Sequence, residues 1–479
     1  MATISVNHLS FSYPTEDGQK PLTLADISAT FPNGGFSLLT GPSGSGKSTL
    51  MKIISGLYPK FGGLITAGEV RLNDAKISDI PETDRGQLVA MMFQNPNQQF
   101  AMDTVERELI FALENQCVAP ADMMDRVDRA LDYVEISQLR HRQLNSLSGG
   151  EKQKVALAVI IAMQADTILL DEPFASVDPV ARQLLLAKLS RLQHEEHKTI
   201  IISDHDLEDY DAYIDHLFVL NDTGDSLVLL NDEAAQQKMA TFKRQDTSNQ
   251  QLLLPKKTDE PIISANNLKL TAGTSTLLTQ PKIDFFQHHI TLLTGANGTG
   301  KSTLLLAMSK LHQYDGSLLL NQKEIAKIRP NRLYQQVALV FQDADQQFLN
   351  VTVSEELALS LKNSQATTYF KERIPKFLEQ LQLAQLQDQV VYTLSGGQKK
   401  KLQILEMLIM ATPVLLFDEP FTGLDFSSLQ AVMTIMKQVA KDCQQTMIIV
   451  SHQLFGLDAL VDYHVTLENK QLQYVEGLA

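Results

Sequence analysis

Gly41-Pro42-Ser43-Gly44-Ser45-Gly46-Lys47-Ser48 recurs later in the chain as Gly295-Ala296-Asn297-Gly298-Thr299-Gly300-Lys301-Ser302. Both stretches match G-x-x-x-x-G-K-[ST], a loop whose backbone N–H groups cradle a phosphate chain. Glycines are needed because only a bare backbone approaches phosphate oxygens closely. Phe36-Ser37-Leu38-Leu39-Thr40 reads as a strand entering the first loop, and Thr291-Leu292-Leu293-Thr294 as one entering the second. Leu50, Ile53, Ile54 and Leu57 follow at helical spacing, as do Leu304, Met308 and Leu311. In this frame Lys47 and Lys301 meet the β- and γ-phosphates. Ser48 and Ser302 offer hydroxyls to Mg²⁺, and Thr49 and Thr303 follow at the helix start.

Further motifs repeat in the same order behind each loop. Leu147-Ser148-Gly149-Gly150 pairs with Leu394-Ser395-Gly396-Gly397, Asp171-Glu172 with Asp418-Glu419, and His205 with His452. The interval from Ser148 to Asp171 equals that from Ser395 to Asp418. Ser-Gly-Gly alone reads as a turn or helix cap; kept in register twice, it reads as a functional element. Asp171 and Asp418 end apolar strands, where a carboxylate can anchor Mg²⁺. Glu172 and Glu419 follow directly and can polarise an attacking water. His205 and His452 sit at the ends of further apolar strands and point to contact with a γ-phosphate. Gln94 and Gln342 follow Met92-Phe93 and Val340-Phe341, as sensors of Mg²⁺ and the nucleophilic water.

A duplicated domain accounts for this order. The 479 residues divide into a first domain over 1–240, a linker over 241–260 and a second domain over 261–479. The linker is polar and carries Pro255, which blocks regular structure. Thr167–Leu170, Val414–Phe417, Thr199–Ile202 and Met447–Val450 read as buried strands between helices, so each half is α/β with a mainly parallel sheet. In such sheets the ligand crevice lies past the strand C-termini, where these motifs fall.

Bulk properties exclude several classes. The net charge of −15 disfavours a nucleic-acid partner, because backbone binding needs clustered Lys and Arg. Cys117 and Cys443 fall in different halves and make no disulfide framework, which fits a reducing cytosol. The N-terminus lacks a secretion pattern. The longest apolar run, Val155–Met163, is too short to span a bilayer, so the chain is expected to serve a membrane only through a partner.

The full motif set, twice over nearly the whole chain, resembles the ATPase subunits of ABC transporters. The resemblance implies two tandem P-loop NTPase domains, each with a helical subdomain carrying Leu-Ser-Gly-Gly. It further implies that the two domains pair head to tail within the one chain. Lys47, Ser48, Gln94, Asp171, Glu172 and His205 would then share a site with Ser395, Gly396 and Gly397. Lys301, Ser302, Gln342, Asp418, Glu419 and His452 would share the other with Ser148, Gly149 and Gly150. Asp178 and Asp425 fall where the family's dimer-contact loop lies.

A narrower resemblance appears after each Gln. Gln94-Asn95-Pro96-Asn97-Gln98-Gln99-Phe100, with Thr104-Val105-Glu106, is similar to the ATPases of energy-coupling-factor (ECF) importers. Gln342-Asp343-Ala344-Asp345-Gln346-Gln347-Phe348 lacks the Asn-Pro. The fused form resembles ATPases of thiamine-precursor or cobalt uptake. This implies ATP and Mg²⁺ as ligands and membrane-embedded partners: a coupling protein and a substrate-binding protein. It implies a peripheral place on the cytoplasmic face of the cell membrane. The family stacks adenine on an aromatic residue upstream of the loop. Tyr13 supplies it in the first half, whereas aligning Asn7-His8-Leu9 with Asn266-Asn267-Leu268 sets Ala272 opposite. Weaker nucleotide binding is therefore expected at the Lys301 site.

Two other classes share the nucleotide fold. Soluble twin-ATPase translation or ribosome factors have long charged linkers and basic surfaces, unlike this chain. DNA-repair and chromosome ATPases carry zinc-binding Cys clusters or coiled coils, also unlike it.

Overall fold

A computed structural model describes residues 3–14, 22–175, 177, 179–244, 252, 254–273, 275–452 and 456–477. The chain divides into two compact units, Met1–Arg244 and Gln245–Ala479. The first unit closes with the helix Asp232–Arg244, which runs past residue 240, and the second opens its first strand at Pro261. Half of the stretch between lies outside the described residues.

Each unit is built on a six-stranded sheet. In the first unit the order is Val89–Met92, Thr167–Asp171, Thr199–Ser203, Phe36–Thr40, His216–Leu220 and Leu227–Leu229, parallel except for the last pair. The second unit repeats it as Val337–Val340, Val414–Asp418, Thr446–Val450, Ile290–Thr294, Tyr463–Glu468 and Gln471–Val475. The strands are apolar on both faces because both faces are covered. Leu38, Ile200 and Ile202 point into one core, while Leu39 and Ile201 point into another.

Helices cover one face. In the first unit Val105–Asn115, Pro120–Tyr133 and Gly149–Met163 pack together; Val353–Lys362, Thr367–Gln380 and Gly396–Met410 do so in the second. These are the helical subdomains that carry Ser-Gly-Gly at a helix start. A four-stranded antiparallel sheet covers the other face. It is formed by Leu22–Phe31, Ile4–Ser12, Leu64–Leu72 and Ala75–Lys76, and again by Ser275–Phe286, Pro261–Ala272, Asp315–Leu320 and Lys323–Glu324.

The phosphate-loop helices are shorter than their apolar spacing predicts. They end at Ile54 and Met308, so Leu57 and Leu311 lie beyond them. Gly56 and Lys310 take positive φ, 74° and 62°, and turn the chain away. Leu311 is half exposed as a result. Among the described residues no helix is long and apolar enough to cross a membrane. Both cysteines are free thiols.

Candidate functional site

In each unit the phosphate loop, the Gln, the Asp-Glu pair and the His converge on the C-terminal ends of the central parallel strands, whereas Ser-Gly-Gly opens a helix of the helical subdomain. Strand Phe36–Thr40 delivers the loop Gly41–Gly46, and helix Lys47–Ile54 starts directly behind it. A Cβ on Gly41 would lie 2.2 Å from the Leu220 carbonyl oxygen, and Gly46 has φ 103°, so both positions demand glycine. Lys47 Nζ donates to the carbonyls of Gly41 at 2.7 Å and Pro42 at 2.9 Å. Lys301 does the same to Gly295 at 2.6 Å and Ala296 at 2.9 Å. Ser43, Gly44, Ser45, Asn297, Gly298, Thr299 and Gly300 form the rest of the two loops. Thr49 and Thr303 lie in the first turn of the helices behind them.

Ser48 hydrogen-bonds Asp171, and Ser302 Oγ donates to Asp418 Oδ1 at 2.9 Å. Each unit therefore sets a hydroxyl beside a carboxylate. Burial raises both Asp carboxyls, and the hydroxyls work against that rise. Hard oxygen donors so placed fit Mg²⁺.

Glu172 and Glu419 are the next residues, buried at 8% and 7% exposure. Both adopt left-handed backbone, φ 47° and 49°. This is uncommon for residues with a side chain and costs on the order of 1–3 kcal/mol. Glu172 N–H donates to the Ser203 carbonyl and Glu419 N–H to the Val450 carbonyl, so the neighbouring strand holds the turn.

The partners of the two glutamates differ. Gln94 Nε2 donates to Glu172 Oε2 at 2.7 Å, and His205 Nδ1 lies 3.6 Å from Glu172 Oε1, an ion-pair distance. Burial favours a neutral Glu172, but His205, Lys47 and Gln94 outweigh it and hold the carboxyl low. Burial pulls the His205 imidazole down, yet Glu172, Asp204 and Asp206 raise it to about 9. Behind His205, Arg182 binds Asp206, and Tyr210 donates to Asp204 at 2.8 Å. In the second unit His452 Nε2 lies 3.5 Å from Glu419 Oε1, and His452 N–H donates to Glu419 Oε2 at 3.2 Å. There burial and the Asp418 charge raise the Glu419 carboxyl to about 8.

Ser148 and Ser395 are N-caps of the helices Gly149–Met163 and Gly396–Met410, each in a capping box with Glu151 or Gln398. The cap leaves the N–H groups at the helix start pointing outward, which suits an anion. Asp425 caps Phe426–Asp442 by accepting from Ser428 N–H at 2.8 Å. Asp178 lies outside the described residues.

Tyr13 is bonded to Thr49 Oγ1 at 2.9 Å and packs edge-on against Phe11 and Tyr58. His8 and Asn267 both have left-handed φ, 48° and 46°. A Cβ on Gly68 would meet the His8 carbonyl, and one on Gly316 the Asn267 carbonyl. This equivalence puts Ala272 at the place of Tyr13. Tyr58 N–H binds Lys52 O as His312 N–H binds Leu306 O, so His312 takes the place of Tyr58. Its Nε2 faces the Thr271 carbonyl at 3.0 Å. Among the described residues the first unit thus sets Tyr13 and Tyr58 where the second sets Ala272 and His312. Tyr13→Ala is expected to weaken ATP binding about tenfold, within the ~1–3 kcal/mol that stacking on a base supplies. Titration with a fluorescent ATP analogue would measure it. Lys301→Ala should likewise retain more ATP affinity than Lys47→Ala; equal residual affinities would remove the asymmetry.

Sequence reading missed two residues beside the second site. Lys400, 4% exposed, donates to the Gln342 carbonyl at 2.7 Å, and Gln403, fully buried, donates to the Phe341 carbonyl at 2.9 Å. Lys399-Lys400-Lys401 reads as a solvated basic run, which hides the inward turn of Lys400.

The model of the family described as ABC transporter matches residues 24–175 and 278–422, more than half of the chain. The ATP-binding protein YkoD of Bacillus subtilis, provisionally named for HMP/thiamine import, is 29% identical over 98% of this chain and 91% of its own length. An ABC transporter ATP-binding protein of Methanosarcina acetivorans, also provisionally named, is 31% identical over 93% of this chain and 85% of its own. Among solved structures, the archaeal ribosome recycling factor aABCE1, in complex with ribosomal stalk protein aP1, aligns with a TM-score of 0.61. It is 20% identical, covering 97% of this chain and 89% of that one, and shares the fold. The chain belongs to the ABC transporter family, as an ATP-hydrolysing enzyme with two tandem cassettes.

Proposed function

We propose that the chain is the energy-coupling ATPase of an ECF-type importer. The likeness to YkoD along almost the whole chain carries this reading. Domains 1–240 and 261–479, tethered through 241–260, pair head to tail. ATP on Lys47 is completed by Ser395-Gly396-Gly397, and ATP on Lys301 by Ser148-Gly149-Gly150. Glu172 and Glu419 polarise the attacking water, while His205 and His452 face the γ-phosphate. Ser48, Asp171 and Gln94, and Ser302, Asp418 and Gln342, hold Mg²⁺, which offsets phosphate charge when bound. A groove near Gln94 and Gln342 passes domain closure to a membrane-embedded coupling protein, which works with a separate substrate-binding protein. The solute class is a vitamin precursor or a transition-metal ion. The chain then sits peripherally on the cytoplasmic face of the cell membrane.

Affinity purification from host membranes, with mass spectrometry of the bound proteins, tests the reading. Recovery of a multi-span coupling protein with a substrate-binding membrane protein supports it. Recovery of ribosomal proteins with no membrane protein overturns it in favour of translation.

A further inference from the structure

The helix Gly396–Met410 sends a polar edge toward the loop that carries Gln342. Lys400 Nζ donates to the Gln342 carbonyl at 2.7 Å and lies 3.4 Å from the Phe341 carbonyl. Gln403 Nε2 donates to the Phe341 carbonyl and to Gln347 Oε1, both at 2.9 Å. Gln347 Oε1 in turn accepts from Phe341 N–H at 3.4 Å. One turn earlier, Lys399 pairs with Asp345 at 2.6 Å. Residues three apart share a helix face, so Lys400 and Gln403 act on one stretch of loop.

The first unit shares only part of this arrangement. Gln99 Oε1 accepts from Phe93 N–H, as Gln347 does from Phe341, and Lys152 reaches Asn97 at 2.9 Å. Counting from the Ser-Gly-Gly of each helix, Gln153 stands where Lys400 does and Ala156 where Gln403 does. Gln153 is neutral, and alanine has no side-chain donor. Burying an ammonium group is costly unless it is well bonded. A lysine kept at that cost against two loop carbonyls therefore fixes the loop.

We propose that Lys400 and Gln403 are positioning residues that clamp the Gln342 loop of the second cassette, an arrangement whose Gln403 arm has no counterpart at Ala156 in the first. The clamp holds the backbone of Gln342 in one place relative to Asp418 and Glu419, so the two sites turn over unequally. The effect on turnover rests on the role proposed above for Gln342; the clamp itself does not.

The test uses the full chain and two readouts, amide hydrogen exchange over residues 341–350 and the kcat and KM for Mg-ATP. Lys400→Gln, which installs the residue of the first unit, is expected to speed exchange in this loop about tenfold. It should lower kcat by about three- to tenfold with KM within about twofold, since small misplacements near reacting groups slow turnover. Lys400→Arg keeps a charged donor and should restore most of both. Gln403→Leu should loosen the same loop. Wild-type exchange in both Lys400→Gln and Gln403→Leu overturns the clamp. So does Lys400→Arg as impaired as Lys400→Gln, or exchange raised across the whole second unit. Gln342→Ala separates the two readings. If it leaves kcat unchanged while Lys400→Gln still loosens the loop, the clamp stands and the role of Gln342 falls.

Discussion

Glu172→Gln and Glu419→Gln together should bind ATP and hydrolyse it about 10²–10⁴-fold more slowly than the wild type, the range by which a positioned general base contributes. The substitution keeps side-chain shape but removes the negative charge and the carboxylate that can take a proton. Both glutamates are buried directly after the Asp that ends their strand, and both face a histidine at 3.5–3.6 Å. The left-handed backbone at each aims the carboxylate off the strand end. The single variants should differ, because Glu172 is held by Gln94 Nε2, whereas Glu419 accepts from the His452 backbone. Steady-state ATPase assays with nucleotide-binding titrations decide the matter. Turnover near the wild-type rate in the double variant removes both glutamates from the reaction.

Glu406→Gln should stabilise the second unit at alkaline pH and give much less near pH 6. Glu406 is 4% exposed in the helix Gly396–Met410, and its Oε1 has no hydrogen-bond partner. Burial, reinforced by the charge of Glu356, raises its carboxyl from the ordinary 4.5 to about 9. Glu356 is itself spent on the backbone N–H groups of Leu349 and Asn350. The folded chain therefore keeps a proton on Glu406 that the unfolded chain releases above pH 4.5. Stability contributed by this group is lost as pH rises from that value toward 9. Between pH 6 and 8.5 the advantage of Glu406→Gln should grow by ~3 kcal/mol, from 1.36 kcal/mol per pH unit. Denaturant unfolding at both pH values measures it. An equal gain at each pH, or a loss at pH 8.5, shows that the carboxyl is not held neutral.

The parts legible from sequence are those in which the backbone itself does the chemistry. A phosphate loop needs Gly41 and Gly46 in fixed order between a strand and a helix, so pattern and geometry coincide. Asp171 and Asp418 were readable for the same reason, as polar ends of apolar strands. The antiparallel sheets were not readable. The left-handed residues His8 and Asn267 fall within their first strands, and the pairing shifts register there, which breaks the alternation a strand should show. Apolar spacing overran the phosphate-loop helices because Leu57 and Leu311 continue the pattern after the backbone has turned. Lys400 and Glu406 were hidden because charged residues in a helix read as a solvated face. Only the neighbouring elements, the Gln342 loop and the helix of Glu356, draw them inward.

Having both cassettes on one polypeptide changes what a single mutation can do. In a protein assembled from identical copies, a codon change alters every copy at once, and a lysine gained in one cassette is gained in its mate. Here the codon for Lys400 and the codon for Gln153 vary independently. The same holds for Tyr13 and Ala272. Gene fusion thereby turns a two-fold assembly into one whose halves can drift toward separate tasks while their stoichiometry stays fixed at one to one.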